Sequence, residues 1–409
     1  RIYYASKLRN EDTAYNVPLM FKTKDSLNVV QLKKALQSIV DAQSILRTYL
    51  VEEGNEIKQK VFPELTVEID VIKIKEELLE KEKNSFICPF DLNHGPLWKV
   101  SVYHLYDVQE WAVLFDFHHS IMDGHSVGIF LRWLSKAYNN EPVLPPSIEY
   151  KDFSEWEERF TSSSEYEKQG DYWQTELKGE LDGLELPLDF QRCKNRTYKG
   201  GVATVSLDKE LFTRVKELAE GYTTTPFVVM LSVYNILLAK YTRQNNFIVG
   251  IPTLGRPYAV LEDTLGMFVG TLPIRASIDG EKQNSEYICE IRDKVLEGIN
   301  NQGYPLEEMI SRIDLPRASG RNTLFDTMFA VWEQTQNTFI IGDALCRPIE
   351  EVNFIAKYDL VFNIGVEEEP FVSVEYACEL FKEETILRFM KHYIYVLQQI
   401  IEVPQRRLN

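Results

Sequence analysis

Apolar positions along the chain follow two rhythms that alternate over nearly its whole length. Between 26 and 50, Leu32, Leu36, Ile39 and Val40 recur at i, i+4, i+7 and i+8, the one-faced period of a helix. Strand-like runs follow at 58–72, a polar helix near 74–86, and strands at 98–105 and 111–117. The second of these strands, Trp111-Ala112-Val113-Leu114-Phe115-Asp116-Phe117, is short, apolar and aromatic, as a mostly buried strand requires. A helix then begins near Ser126, with Val127, Phe130, Leu131, Leu134 and Tyr138 on one face. The stretch 161–201 breaks the rhythm with serines and glycines and marks a boundary. Beyond it, Thr225 before Pro226 reads as a helix start that opens a long apolar helix over 226–241. A strand at 247–251 ends at Pro252 and Gly255-Arg256-Pro257. Helices near 284–301 and 383–402 flank strands at 326–333, 358–366 and 371–377. The pattern predicts two α/β lobes, 1–165 and 201–409, joined by a linker over 166–200.

Composition narrows the function classes. The 409 residues are 44% hydrophobic and 12% aromatic, enough for sizeable cores and too apolar for intrinsic disorder. Lys and Arg number 45 against 62 Asp and Glu, a net charge of −17. Such a chain lacks the basic footprint that nucleic acid and anionic membranes select, so neither is an expected partner. Five scattered cysteines (Cys88, Cys193, Cys289, Cys346, Cys378) form no C-x-x-C, which argues against a zinc knuckle or a disulfide scaffold and suits a reducing cytoplasm. No run approaches the roughly 18 apolar residues of a membrane span, and no signal-peptide pattern opens the chain. It begins at Arg1 without a Met and reads as part of something longer.

Three of the six histidines fall within eight residues, in His118-His119-Ser120-Ile121-Met122-Asp123-Gly124-His125. The cluster sits at the turn from a buried strand into an amphipathic helix, a common place to present functional groups. If the strand runs through both, His118 and His119 point to opposite faces. One can then look into a cleft while the other must find a hydrogen-bond partner inside the lobe. Asp123 can pair with an arginine and pin the turn, and Gly124 leaves space beside the reactive group or takes a backbone angle that other residues resist. Four readings fit these residue types. The first is a structural buried pair. The second is a metal site from His118, His119, Asp123 and His125, disfavoured because adjacent histidines diverge and no H-E-x-x-H is present. The third is a nucleophile elbow at Gly124-His125-Ser126-Val127-Gly128, disfavoured because six residues separate Phe117 from Gly124. The fourth is a general-base or positioning histidine of an acyltransferase.

The run from His118 to Gly124 resembles the H-H-x-x-x-D-G motif of nonribosomal peptide synthetase condensation domains. Further agreement follows in order along the chain. Thr13-Ala14-Tyr15-Asn16-Val17-Pro18 resembles the family's T-A-Y-N-x-P, and Leu46-Arg47-Thr48 the end of its R-H-E-x-L-R-T. Pro89-Phe90-Asp91-Leu92, Tyr150-Lys151-Asp152-Phe153 with Trp156, and Val249-Gly250 through Pro252 with Gly255-Arg256 come next. Gly266 through Thr271 with Arg275, Asn301-Gln302 with Tyr304-Pro305, and Arg321-Asn322 before Leu324-Phe325-Asp326 complete the series.

The resemblance implies two chloramphenicol acetyltransferase-like lobes in a V-shaped pseudo-dimer, with the His motif at their junction. It implies amide formation between an acyl or peptidyl thioester on an upstream peptidyl carrier domain and the amine of an aminoacyl thioester on a downstream one. A neighbouring adenylation domain, no metal, and no cofactor beyond the carriers' phosphopantetheine arms are also implied. By this resemblance His119 faces the reacting groups, His118 and Asp123 hold the loop, and Gly124 keeps the donor side open. Arg275 is expected as the partner of Asp123, with Arg47 as an alternative, and Trp332 either lines a tunnel or packs in the core. An epimerisation domain of the same superfamily and a non-catalytic carrier-docking module are the alternative functions. The chain departs from the family at Ala42-Gln43-Ser44, Gly270, Gly303 and His125.

Overall fold

A computed structural model describes residues 2–7, 13–54, 56–179, 181, 183–193, 196–313, 320–332, 339–342, 344–348, 354–366 and 369–408. They form two α/β units. Unit 1 comprises Arg1–Phe160, Arg256–Val269 and Thr335–Glu351; unit 2 comprises Thr161–Gly255, Gly270–Gln334 and Val352–Asn409. The expected division into continuous lobes thus needs correction, because two segments from the second half of the chain fold into unit 1. Nor is 166–200 a free linker. Helix Ser164–Glu176 packs into unit 2, where Trp173 donates from Nε1 to the Asn301 carbonyl at 2.9 Å and Tyr166 meets Tyr304 at 4.7 Å.

In unit 1 a six-stranded sheet runs in the order Phe339–Ile341, Ala344–Pro348, Asn16–Thr23, Glu110–His118, Trp98–Leu105, Asp70–Ile74. The central strand Glu110–His118 is buried on both faces. Val113, Phe115 and Phe117 join the main core beside Leu36, Ile39 and Phe130, while Ala112 and Leu114 join a smaller cluster with Met20 and Tyr103. That two-sided burial explains its nearly continuous apolar run. Helices Val29–Ala42 and Gly124–Tyr138 cover the main core, Phe130 standing edge-on to both Phe115 and Phe117 at 5.2 Å. The helix expected over 26–50 is shorter, since a 3₁₀ turn at Ser44–Arg47 leads into strand Thr48–Glu53.

Unit 2 has a seven-stranded sheet in the order Phe354–Ile355, Lys199–Ser206, Phe371–Ala377, Leu360–Gly365, Thr327–Trp332, Asn246–Thr253, Gly270–Ser277. Helix Pro226–Thr242 is apolar all round because it is buried all round, from Val228 to Ala239. Thr225 caps it by accepting from the Val228 N–H, and Arg243 ends it in the left-handed region at φ 58°. Pro273 is tolerated in Gly270–Ser277 because that strand lies at the sheet edge. Among the described residues no single helix is long and apolar enough to cross a membrane.

Candidate functional site

Strand Glu110–His118 delivers the histidines to the end of the unit 1 sheet. Its last ladder pair is His118 with Asn16, and the chain then turns, the His119 N–H donating to the Tyr15 carbonyl at 2.7 Å. Ile121 and Met122 are buried in the main core, so the turn is held by apolar anchors just beyond the histidines. His118 is the buried one, 3% exposed, set between the rings of Tyr15 and Phe90. Its Nδ1 accepts from the Ser120 backbone N–H at 3.2 Å, which puts the neutral ring's proton on Nε2, 3.2 Å from Ser6 Oγ. His119 is half-buried.

Asp123 caps helix Gly124–Tyr138, its Oδ1 accepting from the Ser126 N–H at 2.7 Å. The same carboxylate is fully buried and paired with Arg256, whose NH1 reaches Oδ2 at 3.0 Å and NH2 reaches Oδ1 at 3.2 Å. The Phe268 N–H adds a fourth donor at 3.0 Å. Burial alone raises a carboxyl, but the Arg256 guanidinium and the surrounding N–H groups outweigh it and hold Asp123 below the ordinary carboxylate value. Arg256 is itself buried and lies over the Phe268 ring at 4.2 Å. It also donates to Ser126 Oγ at 2.9 Å.

This lattice fastens segment 256–269 to the motif. The Asp123 N–H and Ser126 Oγ both donate to the Gly266 carbonyl, at 3.1 and 2.9 Å, and Tyr150 Oη donates to the Met267 carbonyl at 2.9 Å. Gly266 has no room for a side chain, since a Cβ there would sit 2.1 Å from the Tyr150 ring. Gly124 is the opposite case: a Cβ there meets nothing within 4 Å among the described residues. Ser126 is buried and engaged by Arg256 and Gly266, so its hydroxyl braces the turn and is not presented as a nucleophile. Among the described residues no group of three or more His, Cys, Asp and Glu side chains is placed to hold a metal ion.

The Condensation domain family model matches residues 1–409, the whole chain. The chain belongs to the condensation-domain family. Tyrocidine synthase 2 of Brevibacillus parabrevis is 33% identical over 412 residues, an alignment that takes in 100% of this chain and 12% of that protein. Surfactin synthase subunit 2 of Bacillus subtilis (strain 168) is 33% identical over 410 residues, with 100% and 11% covered. This condensation domain therefore spans a small part of the length of these relatives. Its fold is shared by the X-domain from teicoplanin biosynthesis, at TM-score 0.85 and 20% identity over 97% of this chain and 92% of that one. It is also shared by a four-domain nonribosomal peptide synthetase with AMP and glycine bound, at TM-score 0.87 and 20% identity over 100% and 33%.

Two placements in this condensation domain differ from the expectation. Arg275 does not pair with Asp123. It lies in unit 2, where Nε donates to Asn246 Oδ1 at 2.7 Å and NH1 donates to the carbonyls of Glu176 and Lys178 at 3.2 and 2.6 Å. Arg256 takes the position instead, because Gly255 at φ 65° turns the chain from the strand ending at Thr253 into the segment that unit 1 captures. The Gly255-Arg256 pair was visible in the sequence, but nothing local connects it to Asp123. Arg47 is likewise structural, donating to the carbonyls of Val40, Phe62 and Pro63. Trp332 ends strand Thr327–Trp332, and its side chain lies outside the described residues.

Proposed function

We propose that this domain forms an amide bond by aminolysis of a thioester, with His119 next to the reacting amine. The donor is an acyl or peptidyl thioester on the phosphopantetheine arm of an upstream carrier domain. The acceptor is the free amine of an aminoacyl thioester on a downstream carrier, loaded by a neighbouring adenylation domain. The observation that carries this reading is the contrast within one motif. His118, Asp123 and Ser126 are buried and hydrogen-bonded, whereas His119 is half-buried and Gly124 leaves open space beyond it. Family membership and the peptide synthetases among the relatives support it.

The amine nitrogen attacks the thioester carbonyl carbon, the tetrahedral species collapses with loss of the C–S bond, and one proton passes from nitrogen to the departing sulfur. A free α-amine has a pKa near 7.7–8.0, so about a tenth is neutral at pH 7. Relieving the positive nitrogen of a proton as the oxyanion forms is the step a positioned imidazole assists, by about 10²–10⁴ in rate. Holding the amine against the carbonyl contributes as much again or more. The buried Asp123–Arg256 pair fixes the turn that carries the imidazole and serves as its positioning device.

The test is reconstitution with upstream and downstream carriers loaded with aminoacyl-phosphopantetheine, product being followed by intact-protein mass spectrometry. Condensed product on the downstream carrier, unaffected by EDTA and falling about a hundredfold or more in His119→Ala, is the expected result. Racemisation of a loaded α-carbon without condensation would favour the epimerisation reading. Carrier binding with neither reaction would favour a docking module.

A further inference from the structure

His119 owes its direction to the two planar peptide groups that flank its Cα. The peptide before it is held by the His119 N–H, which donates to the Tyr15 carbonyl at 2.7 Å. The peptide after it is held by the Ser120 N–H, which donates to Nδ1 of the His118 ring at 3.2 Å. With both planes held, little freedom is left in φ and ψ of His119, and its Cα–Cβ bond is aimed. The first of these bonds is backbone to backbone. The second depends on a proton, because Nδ1 accepts only while the neutral ring carries its hydrogen on Nε2.

On the Nε2 side stands Ser6, whose Oγ lies 3.2 Å from that nitrogen and accepts its hydrogen. Helix Ile2–Lys7 is held in place for this by Tyr3, three residues back on the same face and buried in the main core of unit 1. Tyr3 Oη donates to Asn93 Oδ1 at 2.9 Å, three residues beyond Phe90, whose ring stands edge-on to His118 at 6.0 Å. The other tautomer has an outlet as well. Ser120 Oγ lies 2.8 Å from Nδ1 and would accept a hydrogen there, at the cost of the bond from the Ser120 N–H. Because His118 is buried, each ring N–H needs an acceptor from the protein, and the acceptors on its two sides compete for the one proton.

We propose that Ser6 is a positioning residue for His119, acting through the tautomer of His118. This rests on the amide-forming reading above and adds to it a residue that belongs to none of the family's motifs. By accepting from the Nε2–H, Ser6 keeps the Nδ1 lone pair on the Ser120 N–H and the turn closed around His119. Ser6→Ala removes that acceptor, so the proton moves to Nδ1 and Ser120 Oγ takes it. The Ser120 N–H is then released, and His119 loses one of its two anchors. Nothing is transferred except that one ring proton.

The experiment reads the ring nitrogens of His118 by proton–nitrogen correlation NMR of histidine-labelled protein, the signals being assigned by their loss in His118→Gln. Wild type should show the Nε2–H tautomer. Ser6→Ala should shift population toward Nδ1–H and displace the His119 ring signals, and Ser6→Thr, which keeps the hydroxyl, should restore the wild-type pattern. The Nδ1–H tautomer in wild type overturns the proposal even where Ser6→Ala does not fold. In the reconstituted assay, Ser6→Ala should lower kcat about threefold to tenfold at unchanged KM for the loaded carriers, the worth of one hydrogen bond, with Ser6→Thr recovering it. A wild-type rate in Ser6→Ala overturns the positioning role, and so does a slowed variant whose His118 signals are those of wild type. If wild type condenses nothing, the amide-forming reading falls, and the NMR signals alone then decide. Displacement of the His118 and His119 signals in Ser6→Ala but not in Ser6→Thr supports the proposal, and their constancy overturns it.

Discussion

Truncating Asp123 to Ala leaves the Arg256 guanidinium buried with no counter-charge, and strips the Ser126 and Phe268 N–H groups of their acceptor. Removing one member of a buried pair in this way costs about 3–5 kcal/mol, most of it the penalty of the charge left behind. For a folding unit of roughly 150–250 residues each kcal/mol moves Tm by about 2–4 °C, so a fall of about 6–20 °C is expected. The informative measurement is a double-mutant cycle by urea denaturation, followed through tryptophan fluorescence, since Trp98, Trp111, Trp133 and Trp156 all report on unit 1. Asp123→Ala and Arg256→Met should each be strongly destabilising and the pair far less so than their sum, because the double variant buries no unpaired charge. A coupling of about 2 kcal/mol or more is expected. Asp123→Ala with Arg275→Ala should add within about 0.5 kcal/mol, the two residues sharing no partner. Coupling to Arg275 in place of Arg256 would refute the assignment. The pH dependence follows from the same pair. With its folded value depressed, Asp123 contributes fully above the unfolded carboxylate pKa of about 3.9, and the contribution is lost as pH falls through the folded value. The stability gap between wild type and Asp123→Asn should therefore be widest near neutrality and close in acid; a gap independent of pH would contradict the ion pair.

Gly266→Ala drives a Cβ to 2.1 Å from the Tyr150 ring and should cost about 1–3 kcal/mol, partly recovered in the double variant with Tyr150→Leu; an undisturbed single variant would show the segment packed otherwise. Among the thiols, exposed Cys88 and Cys193 should react first with a disulfide reagent in the native state. Cys346, buried and with its thiol pushed up to about 12, should stay silent until denaturant is added, as peptide mapping would show. Arg275→Ala should loosen the end of helix Ser164–Glu176 and speed hydrogen exchange at 174–178; protection equal to wild type would mean its carbonyl contacts contribute nothing.

Much of the architecture was written locally. Strand Trp98–Leu105 and helix Pro226–Thr242 could be placed within a residue, the helix because its Thr-Pro start depends on near neighbours alone. The strand–turn–helix that presents His118 and His119, and the use of Asp123 as a pin, were legible for the same reason. Alternation along a strand and capping of a helix are short-range physics.

What the tertiary structure decided is which distant groups meet. Arg256 and Arg275 are both arginines after turn or strand signals, and no periodicity distinguishes them; only the capture of 256–269 by unit 1 brings Arg256 to Asp123, 133 positions away. Segment 335–351 joins the unit 1 sheet edge through Ala344–Pro348, which pairs with Asn16–Thr23. The hydrogen bond from Asn363 Nδ2 to Glu375 Oε1 exists only because two strands pair in one register, where a slip of one strand by one residue would put the two side chains on opposite faces. Local propensity sets the elements, but charge pairing and strand register are long-range choices. They are settled by which arrangement leaves the fewest buried groups uncompensated.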